Sequence, residues 1–196
     1  LGANRYIISN NENALNVMET FALIRLSDWE NPTVDVVPLF ESVDDLLNAH
    51  NVMEQLYTNP VYANHLVNRE MKQTIMLGFS DGTKDGGYLM ANWSIYKAKE
   101  ELTAISRKYG IKVIFFDGRG GPPSRGGGKT HKFYASLGPK IENNEIQITV
   151  QGQTISSNFG TLNTSSYNLE NVLSAALTNQ DFSKEENKLK KKKKNI

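Results

Sequence analysis

TVDVVPLFESVDDLLNAHNVMEQLY, residues 33–57, is the stretch from which the fold can be read. Residues 33–40 form a run of mostly apolar, β-branched side chains, the composition of a strand buried in a parallel sheet. Glu41 ends the run, and Ser42 with Asp45 has capping-box spacing, so residues 41–57 predict a helix.

The same strand-then-helix unit recurs on both sides. Upstream, RYIIS (5–9) predicts a short strand, and NNENALNVMETFALIRL (10–26) a helix with Ala14, Val17, Met18, Phe21, Ala22 and Ile24 on one face. Downstream, TIMLGF (74–79) predicts a third strand. A long amphipathic helix over 86–110, closed by Gly110, leads to a fourth strand over 112–116. A weaker strand over 145–150 and a last helix over 167–177 complete the body. Strands alternating with crossover-length helices make an α/β fold with a parallel sheet, either doubly wound or a barrel. Four or five strands fall short of the eight that close a (β/α) barrel. Residues 1–182 read as one domain or a piece of one.

Bulk composition narrows the class. The chain has 196 residues, 39% of them hydrophobic, enough for one core. No apolar stretch approaches the roughly 20 residues of a membrane span, and no signal-peptide pattern opens the chain. With no cysteine there is no disulfide framework and no thiolate metal site, which points to a reducing, cytoplasmic setting. Leu1 in place of Met suggests an earlier true start. The net charge of +1 conceals an acidic body: without Lys188 and Lys190 to Lys194, 16 basic residues face 21 acidic ones. Residues 183–196 are therefore expected to be a lysine-rich, disordered, solvated tail.

Ligands of parallel α/β folds bind beyond the carboxyl ends of the strands. Three consecutive predicted strands end near acids: Glu41, then Asp81 with Lys84 and Asp85, then Asp117 followed by Arg119 and Arg125. Glu41 and Asp81 suit a hard divalent cation with oxygen ligands, although Glu41 could merely favour a helix start and Asp81 a turn. The segment FFDGRGGPPSRGGGKTH (115–131) combines bare amides with two guanidiniums. Both glycine-rich nucleotide fingerprints require a glycine where Pro123 stands, so neither applies. What remains is a small-anion loop, since arginine grips phosphate or carboxylate oxygens in a fork. The alternative is a standalone anion- or nucleic-acid-binding module using the two RGG triplets and the lysine tail; the loop is short and anchored to a buried strand, which ranks nucleic acid second. No histidine pair has zincin spacing.

IMLGFSDGTKDGG (75–87) resembles the signature of the phosphoenolpyruvate carboxylase family, and FDGRGGPPSRGGG (116–128) resembles its glycine-rich arginine loop. VVPLFESVDDLLNAHNVMEQL and ITVQGQTISSNFG extend the resemblance in the same order. It implies a partial TIM-type (β/α) barrel and a carboxy-lyase joining bicarbonate to phosphoenolpyruvate, giving oxaloacetate and phosphate with Mg²⁺ or Mn²⁺. By the same resemblance, Glu41 and Asp81 hold the metal, and Lys84, Arg119 and Arg125 neutralise the transferring phosphate. Gly118, Gly120, Gly121 and Gln151 line the substrate. The complete family enzyme is longer and is expected to be a homotetramer; its catalytic histidine and further arginines belong to other segments. The chain alone is therefore expected to be inactive. Many members have His at Asp117, Tyr at Phe79 and Ser at Gly82. Asp117 beside an anion loop is expected to pair with Arg119 or with the metal.

Overall fold

A computed structural model describes residues 4–120, 127–150 and 152–193. Five strands, β1 (Arg5–Ile8), β2 (Asp35–Phe40), β3 (Lys72–Gly78), β4 (Lys112–Gly118) and β5 (Ile146–Ile148), form one sheet in sequential order. Every neighbouring pair is parallel. Sequential order without reversal decides between the two architectures left open by the sequence, because a doubly wound sheet reverses at its switch point. Connecting helices are α1 (Ala14–Leu26), α2 (Val43–Thr58), α3 (Pro60–Asn68), α4 (Ser80–Lys108), α5 (Thr130–Ser136), α6 (Gln153–Phe159) and α7 (Leu162–Lys193).

Strand alternation and register assign the two faces of the sheet. Val36, Phe40, Ile75, Leu77, Val113 and Phe115 share one face and form a single core with Val17 and Phe21 of α1, Leu46, Met53 and Leu56 of α2, and Ile95 and Leu102 of α4. The helices thus cover one face, as around a barrel. On the opposite face, Gln147 of β5, with its amide oxygen turned inward, accepts from Arg5 Nη1 (3.3 Å) and Nη2 of β1. The sheet curls until its first and last strands touch through side chains, although they share no ladder. In an eight-stranded barrel, alternate strands fill one interior layer in this way. A partial barrel is therefore the architecture.

The capping box is formed as read: Ser42 Oγ accepts from Asp45 N (3.1 Å) and Asp45 Oδ2 accepts from Ser42 N (3.1 Å). On α1, Val17 and Phe21 are buried and Ala14, Met18 and Ile24 pack on the core, whereas Ala22 faces solvent. Three structural differences from the sequence reading stand out. Helix α3 fills the gap before β3, capped by Asn59 with Pro60 opening it. Helix α4 begins at Ser80 rather than Gly86 and breaks at Gly87 (φ 79°, ψ 169°), a conformation essentially reserved for glycine. Helix α7 runs to Lys193, past the expected 167–177 and into the stretch expected to be disordered; lysine, leucine and glutamate are good helix formers, and no Gly or Pro stops them. No described helix is long and apolar enough to cross a membrane.

Candidate functional site

Register places the candidate residues on one rim. Phe40 pairs with Leu77 and Gly78 with Gly118, so Glu41, Gly78 and Gly118 stand at one level across three neighbouring strands. With parallel strands about 4.8 Å apart, the Glu41 and Gly118 backbones are about 10 Å apart across the sheet. Asp81, Lys84 and Arg119 follow directly from these strand ends. The parallel register thus brings these three strand ends to one level, as the sequence led one to expect of a parallel sheet.

Glu41 plays no part in capping α2, since Ser42 and Asp45 do that. Its Oε2 instead accepts from Asn10 N at the end of β1 (3.2 Å). It lies over the end of β3, where a Cβ added to Gly78 would stand 3.1 Å from Glu41 Cγ. Asp81 occupies the first turn of α4 and is paired with Lys84 (Oδ1 to Nζ 2.7 Å), both side chains exposed. This turn is anchored from below, because Asp85 Oδ2 accepts from Val43 N of α2 (3.2 Å). Two carboxylates on adjacent strand ends suit Mg²⁺ or Mn²⁺, which bind to one or two protein carboxylates and keep waters for the substrate. Among the described residues, no three His, Asp or Glu side chains gather into a complete metal cage.

Arg119 is 8% exposed, with its guanidinium carbon 3.7 Å from the Phe133 ring centroid and 5.6 Å from that of Phe79. Burial lowers its pKa, opposed by Tyr134 and Asp117. Beside it, a cleft of about 100 Å³ is lined by Gly120, Gly127, Gly128, Thr149, Val150 and Asn168 among others. Gly118 permits a close backbone approach: an added Cβ would meet Leu77 O at 3.0 Å. Gly121, Arg125 and Gln151 lie outside the described residues.

Asp117 corrects the expectation drawn from sequence. It sits on the helix-covered face with Val113 and Phe115, and it is fully buried. Its carboxylate is held by Lys99 of α4 (Nζ to Oδ1 2.7 Å, to Oδ2 2.9 Å) and by the Tyr134 hydroxyl (2.6 Å to Oδ2). Lys99 supplies the expected cationic partner from another element, as a charge at this depth requires. Lys99 is 1% exposed and lies near the rings of Phe115, Phe133 and Tyr134, at 5.0, 5.2 and 5.7 Å. Desolvation pulls the Lys99 pKa down, countered by Asp117; burial, then the Asp117 charge, pushes Tyr134 up. Sequence reasoning passed over Lys99, yet a signal was present. It lies four residues after Ile95 and three before Leu102, on the buried stripe of α4. Of the three histidines, His50 contacts Glu101 (3.2 Å), His65 packs on Phe21, and His131, on α5 just after the loop, meets Tyr167 with its ring.

Compared with known families, the chain is matched over residues 2–194 by a sequence model described as phosphoenolpyruvate carboxylase.

Proposed function

The chain belongs to the phosphoenolpyruvate carboxylase family, and on that premise we propose that its strand-end rim is part of a site that carboxylates phosphoenolpyruvate with bicarbonate. The observation that carries this reading is the common level of Glu41, Gly78 and Gly118, with Asp81, Lys84 and Arg119 leading away from it. In the reaction the phosphorus–enol oxygen bond breaks as a bond from phosphorus to a bicarbonate oxygen forms, leaving carboxyphosphate and the pyruvate enolate. Carboxyphosphate then yields CO₂ and phosphate, and C3 of the enolate attacks CO₂ to give oxaloacetate. The phosphoryl group in flight spreads negative charge over its oxygens, so fixed cations are the principal requirement. Arg119, held against Phe133, offers such a charge in a largely dry setting. Lys84, and by the family resemblance Arg125, would add to this charge, and Gly118 and Gly120 would let the anion approach the main chain. Glu41 and Asp81 would hold Mg²⁺ or Mn²⁺, which supplies further charge neutralisation when bound. By the family resemblance the proton-handling histidine belongs to another segment, so turnover would require that segment as well as this rim.

Titration of Mn²⁺ into the chain, read by the loss of its free-ion electron spin resonance signal, tests the reading. Glu41→Gln and Asp81→Asn should each weaken binding by at least about tenfold. Mn²⁺ binding indifferent to Asp81→Asn would sink it. So would an absence of phosphoenolpyruvate binding combined with RNA binding that survives removal of the lysine-rich end.

A further inference from the structure

We propose that Lys99 is a positioning residue for this rim: it supplies the counter-charge that Asp117 would otherwise draw from Arg119. This rests on the reading of Arg119 as an anion-binding group and says what keeps it in place. Asp117 is fully buried, two residues ahead of Arg119 at the end of β4. A carboxylate at that depth must be compensated by a cation and by hydrogen bonds. Lys99 reaches it from the neighbouring helix, within 2.7 Å of one oxygen and 2.9 Å of the other, and Tyr134 adds a 2.6 Å hydrogen bond.

Phe133 connects this buried pair to the rim. Its ring lies 3.7 Å from the Arg119 guanidinium carbon and 5.2 Å from Lys99 Nζ, so two cations share one aromatic side chain. Such an arrangement is tolerable because Asp117 stands between them in charge: its field favours the cationic form of both. Without the Lys99 charge, Arg119 is, among the described residues, the cation that still feels the Asp117 field. The guanidinium is then pulled from the Phe133 face toward the carboxylate, and the rim loses an anion-binding charge. Removing the Asp117 charge as well abolishes that pull. The two substitutions should therefore compensate one another, whereas a packing role for Lys99 would make their effects accumulate.

The experiment uses the whole chain in native, Lys99→Gln and Lys99→Gln/Asp117→Asn forms. Inorganic phosphate is the probe, and the Arg119 Nε–Hε resonance, displaced by the Phe133 ring current, is the readout. Lys99→Gln should weaken phosphate binding by about tenfold and move the Arg119 resonance off its ring-shifted position; the double variant should return both close to native. Native affinity and an unmoved resonance in Lys99→Gln would overturn the proposal, as would a double variant no better than the single one. If Lys99→Gln does not fold, the double variant decides alone: a displaced resonance there refutes the role, and a native one supports it. A native chain that ignores phosphate contradicts the proposed function, while the Arg119 resonance in the variants still judges Lys99.

Discussion

Replacing Gly87 by alanine probes how the turn that carries Asp81 and Lys84 is mounted. Gly87 has φ 79° and ψ 169°, and an added Cβ would meet nothing within 4 Å, so the cost is that of the backbone alone. Holding a non-glycine residue there costs about 1–3 kcal/mol. For a chain of this size, each kcal/mol moves the melting temperature by about 2–4 °C, predicting a loss of about 2–12 °C. The chain can relieve the strain by straightening α4, but residues 80–86 are pinned to α2 through Asp85 and Val43 N (3.2 Å). Straightening would therefore break this anchor and swing Asp81 and Lys84 away from Glu41. Gly110 is the control, with φ 69° and equally open space at the far end of the same helix. Circular dichroism melts and Mn²⁺ titration together give the answer. Gly87→Ala should lose both stability and metal affinity, and Gly110→Ala stability alone. A native melting temperature for Gly87→Ala, or equal metal effects from both variants, would refute the reasoning.

Other expectations concern the base of the barrel and the caps. Burial, and secondarily the Arg69 charge, hold His65 below the ordinary imidazole range. The native state thus resists a proton that the unfolded chain accepts. The His65 contribution is present in full above about pH 6.5 and is lost as pH falls from there toward the native pKa. In His65→Phe the gap between melts at about pH 7.5 and about pH 5.5 should narrow; an unchanged gap removes His65 as its source. Ser42→Ala opens the capping box of α2 and should cost about 1 kcal/mol, seen as a fall of about 2–4 °C in melting temperature. Gly78→Ala brings a methyl group 3.1 Å from Glu41 Cγ, so it should weaken Mn²⁺ binding while the circular dichroism spectrum stays native; unaltered affinity would dissociate Glu41 from the metal.

Local signals carried much of the fold. The buried run before Glu41 and the Ser42–Asp45 pair are contained within one segment, and β2 and α2 formed where they indicated. The signals for α3 were equally local, in Asn59 and Pro60, and went unused. The start of α4 was obscured for a physical reason. Aspartates and glycines over 80–87 describe a turn, and the helical turn there is anchored by a contact with Val43, a residue 42 positions away from Asp85. Choosing a barrel over a doubly wound sheet required strand order, which no single segment encodes. At the rim, the acids and bases after each strand were readable because parallel strands deliver their ends together. Asp117 was not, since its sequence neighbour is Arg119 while alternation with Val113 and Phe115 turns it toward Lys99. Lys99 went unread, although its spacing from Ile95 and Leu102 puts it on the buried stripe of α4.

The central claim is that one rim holds a divalent metal and phosphoenolpyruvate side by side. Its most direct measurement is the phosphorus-31 relaxation of phosphoenolpyruvate in the presence of Mn²⁺ and the chain. If Glu41 and Asp81 hold the ion within reach of an anion at Arg119, the chain should enhance phosphorus relaxation well beyond that of Mn²⁺ and phosphoenolpyruvate alone. Asp81→Asn should abolish the enhancement. Relaxation identical with and without the chain, or an enhancement indifferent to Asp81→Asn, would contradict it.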